Sequence, residues 1–293
     1  EFTYVPAERI KPALSEKEAG YLHLRRIFSQ IKVKEIKKKK FRLVADCANG
    51  AGATLLPRFL QELGAEVRFI NTELSGKFAH QSEPTPENLK ELGHEVRAFQ
   101  ADLGLAQDAD ADRLALVDEQ GQPLGEDATL TLSVDHVLSR KKGPVVVNLS
   151  SSMVIEDIAR KYGVRVYRTK IGESNVVEKM LETRAVVGGE GNGGVIWPAV
   201  HPCRDSFTAA GLILEKLSSF PGSISQLMAT YPRYYLLKEK FDCPAELAFK
   251  VVTELRRRYQ RENTSTLDGL KIIWEEAWVH LRPSNTEPIM RII

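Results

Sequence analysis

The sequence predicts an α/β protein: two similar α/β domains in series, followed by a smaller α+β C-terminal domain. Three observations carry this reading. Short apolar runs alternate with helix-period segments from about residue 41, the alternation restarts after residue 122, and beyond Tyr231-Pro232 the pattern changes to strands around one helix. Strand, turn, helix, strand, in that order, is the grammar of a parallel sheet. The expected divisions are residues 1–122, 123–231 and 232–293.

The elements follow from spacing. Leu22, Leu24, Ile27, Phe28 and Ile31 suggest a helix that begins near Ser15, with Glu18 placed for a capping box. Residues 41–46 read as a strand that runs into the small-residue turn Ala48-Asn49-Gly50-Ala51-Gly52-Ala53. A helix through Leu55, Phe59, Leu60 and Leu63 leads to a strand at 67–71, and a helix through Leu89 and Val96 leads to strands at 102–105 and 114–117. The second round predicts a helix at 129–138, a buried strand at 145–149, and a helix through Ile155 and Ile158 that Ser150 to Ser152 can cap. It continues with a strand at 164–167, a helix through Val176, Met180 and Leu181, a strand at 185–187 and a long helix after Asp205. The last unit predicts a strand at 234–238, a helix at 245–259 and strands at 271–274 and 277–282. No residue-level repeat proves that the first two domains are duplicates.

Composition narrows the class. The 293 residues are 43% hydrophobic and 27% charged with a net charge of +2, ordinary for a soluble globular chain and too balanced to imply nucleic acid or membrane as partner. The basic run Lys37 to Lys40 reads as a solvated helix end or loop, with a phosphate-steering patch as the alternative. Cys47, Cys203 and Cys243 are odd in number and far apart, which suggests reduced thiols in a cytoplasmic protein. No apolar stretch is long enough to cross a bilayer. Both ends read like cuts, the first without an initiator Met and the last inside an apolar run.

Three motifs carry chemistry. Asp108-Ala109-Asp110-Ala111-Asp112-Arg113 sets alternate aspartates on one short loop, which suits Mg²⁺ or Ca²⁺. A solvated acidic turn is the plain alternative. An EF-hand, with Glu119 at its twelfth position, is disfavoured because Arg113 stands where that loop needs Gly. Arg282-Pro283-Ser284-Asn285-Thr286-Glu287-Pro288, with Arg291, offers guanidinium, hydroxyl and amide donors for a phosphate cradle; a polar turn between strands is the alternative. Gly188-Gly189-Glu190-Gly191-Asn192-Gly193-Gly194 reads equally as a glycine-rich hairpin and as a loop whose Glu190 and Asn192 bond sugar hydroxyls. Asp205 reads as a helix N-cap, and Arg204 beside it can approach an anion.

The order of these motifs resembles the α-D-phosphohexomutase superfamily, the phosphomannomutase/phosphoglucomutase and phosphoglucosamine mutase type, without its first domain. The resemblance also covers Asp46-Cys47-Ala48-Asn49-Gly50-Ala51-Gly52, Glu83-Pro84-Thr85-Pro86-Glu87-Asn88-Leu89 and Trp278-Val279-His280-Leu281. It implies interconversion of hexose 1-phosphate and hexose 6-phosphate through a phosphoserine and a hexose 1,6-bisphosphate. Carried over, it implies Mg²⁺ on Asp108, Asp110 and Asp112, and Arg113 near the transferring phosphate. Glu190, Asn192 and Arg204 would face the substrate, and Arg282, Ser284, Asn285, Thr286 and Arg291 the distal phosphate. The phosphoserine segment is not in this sequence, and Asn192 and Gly194 stand where many members carry Ser and His. A catalytically silent phosphosugar-binding fragment is the reading from another class. The oligomeric state and the general acid/base are not given by the sequence.

Overall fold

In the computed structural model of the chain, residues 4–12, 18–81, 85–284 and 287–293 are described. The first unit opens with helices α1 (Ala19–Gln30) and α2 (Val33–Lys39). Then follow β1 (Arg42–Asp46), α3 (Leu56–Glu62), β2 (Glu66–Ile70), α4 (Lys90–Phe99), β3 (Leu103–Gln107) and β4 (Leu114–Val117). Their sheet has the order β2-β1-β3-β4, with β4 alone antiparallel. The basic run ends α2, where cations meet the negative end of the helix dipole. The expected start at Ser15 lies outside the described residues.

The second unit contains α5 (Ala128–Arg140), β5 (Val145–Asn148), α6 (Val154–Tyr162), β6 (Val166–Thr169), α7 (Glu173–Thr183), β7 (Val187–Glu190), β8 (Gly194–Trp197), β9 (His201–Arg204), α8 (Ser206–Ser218) and the short α9 (Ile224–Met228). Its sheet runs β6-β5-β7-β8-β9, parallel over its first three strands and antiparallel after them. The first four strands repeat the topology of the first unit. A residue-level echo accompanies it: β1 ends on Asp46, whose Oδ1 accepts from Ala48 N at 2.8 Å, and β5 ends on Asn148, whose Oδ1 accepts from Ser150 N at 3.0 Å. Each makes the same two-residue side-chain turn.

Helices α5 and α8 are buried nearly all round, as helices without a polar face must be. They pack on each other and on strands of both sheets, so one apolar core runs through both units. Leu212, Ile213 and Leu214 of α8 are fully buried in it; complete burial of such a side chain stabilises by about 1.5–3 kcal/mol.

The third unit is an antiparallel sheet, β10 (Glu239–Asp242), β11 (Asn263–Ser265), β12 (Leu270–Ile273), β13 (Trp278–Pro283) and β14 (Ile289–Ile292), covered by α10 (Ala245–Arg258). The order is β10-β14-β13-β12-β11, over a small core of Cys243, Ala248, Leu281 and Met290. The architecture is thus two similar α/β units in series and a smaller α+β unit.

Local expectations need correction: β6 and β7 each begin two residues later than expected, at Val166 and Val187. Residues 234–238 form no strand; the strand that pairs with β14 lies at Glu239–Asp242. Of Ser150 to Ser152 only Ser152 serves the start of α6: its Oγ accepts from Val154 N at 3.4 Å, while the N-cap position itself is Met153, without a side-chain bond. Ser151 instead serves the turn after β5, where its Oγ donates to Asn148 Oδ1 at 2.9 Å. No helix among the described residues is long and apolar enough to cross a membrane.

Candidate active-site cleft

The aspartate loop joins β3 to β4. Asp108 is buried, Asp112 half-buried and Asp110 exposed, and one carboxylate oxygen of each lies within 4.8 Å of the others. Ala111, between two of them, has φ of +60°, a left-handed turn that brings the alternate side chains together. The backbone is held from two sides. Ala51 N donates to Ala109 O at 2.8 Å, and Gly50 packs so closely on Ala109 that a side chain there would collide with its carbonyl. From α8, Ser206 Oγ donates to Ala111 O at 2.6 Å and accepts from Gln107 Nε2 at 2.7 Å. The small residues of the Asp46–Gly52 segment are therefore the seat of the aspartate loop.

The electrostatics of the loop fit a cation. Burial pushes the Asp112 carboxyl up to about 6, Arg204 opposes this, and the Asp108 and Asp110 charges add to it. A divalent cation among three hard oxygen donors relieves that repulsion, and the donor set suits Mg²⁺ or Ca²⁺. Arg113 Nε bonds Asp108 Oδ2 at 2.5 Å and lies 3.8 Å from Asp112 Oδ1. The flanks are strands and not helices, and Glu119 accepts from Ser225 Oγ, so the EF-hand alternative has no geometry behind it.

The glycine-rich segment forms a hairpin. Gly188 to Glu190 belong to β7, and residues 191–193 turn into β8. Gly193 has φ of +92° and sits directly on the Leu114 carbonyl, so the hairpin packs on the first residue of β4; Leu114 N donates to Gly193 O at 3.1 Å. Glu190 is buried, and its Oε1 accepts from Asn148 Nδ2 at 2.8 Å and Gly172 N at 2.9 Å. Its Oε2 accepts from Arg204 Nη1 at 2.7 Å. The same guanidinium reaches Asp112 Oδ2 through Nη2 at 2.5 Å, and Arg204 N donates to Glu173 Oε1 at 2.7 Å. Asn192 Oδ1 is buried and has no hydrogen-bond partner among the described residues.

A cleft of about 790 Å³ gathers Glu190, Asn192 and Arg204 from the second unit with Arg282 and Arg291 from the third. Arg282 and Arg291 stand directly opposite each other on β13 and β14. Like charges so paired destabilise a sheet unless an anion lies between them. Arg282 Nε is steadied by Asp268 Oδ1 at 3.0 Å, and Arg291 lies 3.7 Å from Glu287. Ser284 N donates to Ile289 O at 2.9 Å, which closes the turn, and Ser284 Oγ accepts from Glu287 N at 3.3 Å. Asn285 and Thr286 lie outside the described residues. The third unit is fixed over the cleft by Ser150 Oγ to His280 Nδ1 at 3.2 Å and Ile171 N to Asp268 Oδ2 at 3.2 Å.

Sequence reasoning missed Asn148, Ser150, Lys238 and Lys240, which also line the cleft. Asn148 carried a usable signal. It is the polar residue that ends the apolar run Val145-Val146-Val147, and ligands of open α/β sheets sit at the carboxyl ends of strands.

Two family descriptions match in succession: phosphoglucomutase/phosphomannomutase alpha/beta/alpha domain II over residues 21–121, and domain III over residues 125–234. The chain belongs to this family, within the α-D-phosphohexomutase superfamily. A probable phosphoglucosamine mutase of Methanopyrus kandleri is 39% identical over 283 residues, 95% of this chain and 62% of the relative. A phosphoglucomutase/phosphomannomutase of Thermococcus kodakarensis is 38% identical over 92% of this chain and 60% of its own length. A crystal structure of a phosphoglucomutase/phosphomannomutase family protein from Burkholderia thailandensis superposes with a TM-score of 0.82 at 26% identity, over 93% of this chain and 59% of that one. The chain thus spans about three-fifths of the length of the relatives it matches.

Proposed function

We propose that this chain is the metal-binding, sugar-binding and phosphate-binding portion of a phosphohexomutase that interconverts hexose 1-phosphate and hexose 6-phosphate. The observation that carries the reading is the pair Arg282 and Arg291, opposed on adjacent strands and opening on the cleft that holds Asn192. Two guanidinium groups hold a phosphate with charge-assisted bonds, and the unpaired Asn192 Oδ1 accepts from a sugar hydroxyl or amine.

The residues divide the work by geometry. Arg282, Ser284 and Arg291, with Asn285 and Thr286 of the same segment, hold the phosphate that is not reacting. That remote binding positions the other end of the sugar near the aspartate loop. Asp108, Asp110 and Asp112 would hold Mg²⁺, which supplies charge stabilisation to the transferring phosphoryl group. Arg113 holds Asp108 in place and keeps positive charge beside that group. Glu190 acts through Arg204 as well as at the cleft wall, because its carboxylate already accepts three bonds. The phosphoryl donor of the cycle is a phosphoserine outside this sequence, and the sugar passes through a 1,6-bisphosphate.

The substrate stands between two classes. The relatives named above divide between a glucosamine phosphate mutase and a glucose or mannose phosphate mutase. Asn192 can serve either a C2 hydroxyl or a C2 amine, since it offers both an acceptor and a donor. The test is a mutase assay on the full-length protein that carries this sequence, with Mg²⁺, a trace of glucose 1,6-bisphosphate and glucose-, mannose- or glucosamine-1-phosphate. Formation of the 6-phosphate supports the reading, and the best substrate names the class. Retained phosphosugar binding without turnover would make these residues a recognition module only.

A further inference from the structure

At the start of α8, outside the residues that line the cleft, three potential ligands converge that the proposed reaction does not use. His23 comes from α1, His201 from the start of β9, and Asp205 is the N-cap of α8. One ligand atom of each lies within 4.8 Å of the other two. His23 Nε2 is 3.2 Å and His201 Nε2 is 3.5 Å from the same oxygen, Asp205 Oδ2. We propose that His23, His201 and Asp205 form a second metal site, distinct from the aspartate loop, that takes a borderline transition-metal ion of the Zn²⁺ class.

The spacing supports a tetrahedral ion. Ligands bound at about 2.0–2.1 Å in a tetrahedron are separated by about 3.3 Å along its edges. The two measured nitrogen–oxygen separations bracket that length. The rings are tilted by 52° with centroids 5.0 Å apart, so they converge without stacking face to face.

Chemistry selects the ion. Two imidazoles and one carboxylate suit Zn²⁺, Co²⁺ or Ni²⁺, and Mg²⁺ and Ca²⁺ prefer oxygen alone. The partial positive charge at the α8 N-terminus opposes any cation there, and the bonds from the carboxylate and the two imidazoles must outweigh it. Asp205 is buried; its Oδ1 accepts from Phe207 N at 3.0 Å, and its Oδ2, the ligand oxygen, accepts from Thr208 N at 3.1 Å and from Thr208 Oγ1. Hydrogen-bonded carboxylates of this kind are the usual supports of metal sites. Both histidine side chains keep about a quarter to a third of their surface exposed (27% and 30%), which leaves a path for the ion and for water as fourth ligand. An ion there would clip residue 23 to residues 201 and 205, elements far apart in the chain, next to Arg204 and Ser206.

The test uses Co²⁺ as spectroscopic probe on the purified protein, followed by Zn²⁺ competition. The expected result is one equivalent of the intense visible absorption of tetrahedral Co²⁺, displaced by Zn²⁺ and not by excess Mg²⁺. It persists in Asp110→Asn. In His23→Gln and in His201→Gln, Co²⁺ affinity falls by at least the ~10–100-fold that loss of a mere supporting partner costs. Zn²⁺ should also raise the thermal midpoint of the wild type and not of either variant. Absence of the tetrahedral spectrum in the wild type overturns the proposal, whatever the variants do. So does a spectrum that survives in a folded variant of either histidine.

Discussion

Arg204 donates to Asp112 at 2.5 Å, so a strand end of the second sheet holds a residue of the aspartate loop in the first. Its other terminal nitrogen holds Glu190 at 2.7 Å. One planar guanidinium therefore ties the candidate metal loop to the glycine-rich hairpin. Lysine cannot replace this fork, because it is a single point of charge. Arg204→Ala should lower unfolding free energy by about 2–3 kcal/mol, since it strips charged partners that are partly buried. Urea denaturation checks this. Arg204→Lys should recover only part of the loss; full recovery would mean that charge alone matters at this position.

Arg291 tests the phosphate end. Arg291→Ala should weaken phosphosugar binding by about 1.5–3 kcal/mol, the scale of a hydrogen bond to a charged group. Removing it also relieves the repulsion with Arg282, so the free protein should not lose stability. Calorimetry and a thermal melt on the same sample separate the two effects. Unchanged binding would remove Arg291 from the cradle.

The aspartate loop should bind Mg²⁺ weakly by itself, because three carboxylates fill only part of an octahedral shell. A bound phosphosugar should tighten Mg²⁺, and Mg²⁺ should tighten the phosphosugar by the same factor. Isothermal titration in both orders measures the two factors. Tight Mg²⁺ binding without any phospho-ligand contradicts the assignment.

The seat of the aspartate loop carries a pH dependence. His80 Nε2 lies 3.1 Å from the buried Asp46 and its Nδ1 lies 2.8 Å from Gln81 O, so both ring nitrogens face acceptors. The hydrogen bond to Asp46 raises His80 to about 8 against the opposing effect of burial. The folded-state pKa is the higher one, so the stabilisation is complete below about pH 6.5 and is lost as pH rises through about 8. The thermal midpoint of the wild type should therefore fall between pH 6.5 and 9, and less so in His80→Gln. A proton NMR titration of His80 with a midpoint below 6.5 would contradict this.

Asp135 anchors the back of the second unit and is the strongest purely structural case. It is buried and bonds Lys161 at 3.0 Å, Tyr162 at 2.9 Å, Tyr231 at 2.8 Å and Lys216 at 2.5 Å. Burial pushes its carboxyl up, and bonds from Lys216, Tyr231 and Lys161 outweigh that and bring it down to about 2. Its contribution is present above about pH 4 and lost as pH falls through about 2. Asp135→Ala should cost about 3–5 kcal/mol, because Lys216 is left charged and only 14% exposed.

Much of this fold was legible because burial on both sheet faces writes continuous apolar runs. Leu43-Val44-Ala45 and Val145-Val146-Val147 are such runs, and they became the central strands β1 and β5. β7 starts two residues and ends three residues later than expected, since Gly188 and Gly189 have little strand propensity and are held in the sheet by their neighbours. Residues 234–238 have the aromatic and apolar look of a strand but no strand to pair with; Leu236 and Lys238 line the cleft instead. The motifs themselves were visible as loops. Their assembly was not: the contacts of Arg204 with Asp112 and Glu190 span 92 and 14 residues, and they form only once β7, β8 and β9 pair and the Gly193 turn packs on Leu114. The His23, His201 and Asp205 cluster was hidden for the same reason.

The most direct measurement is calorimetric titration of glucose 1,6-bisphosphate into this protein with Mg²⁺ present, beside the Arg282→Ala and Asn192→Ala variants. The account predicts one saturable site in the wild type, at least about tenfold weaker in each variant. No binding in the wild type, or equal binding in all three, would contradict the claim that this cleft recognises a phosphorylated sugar.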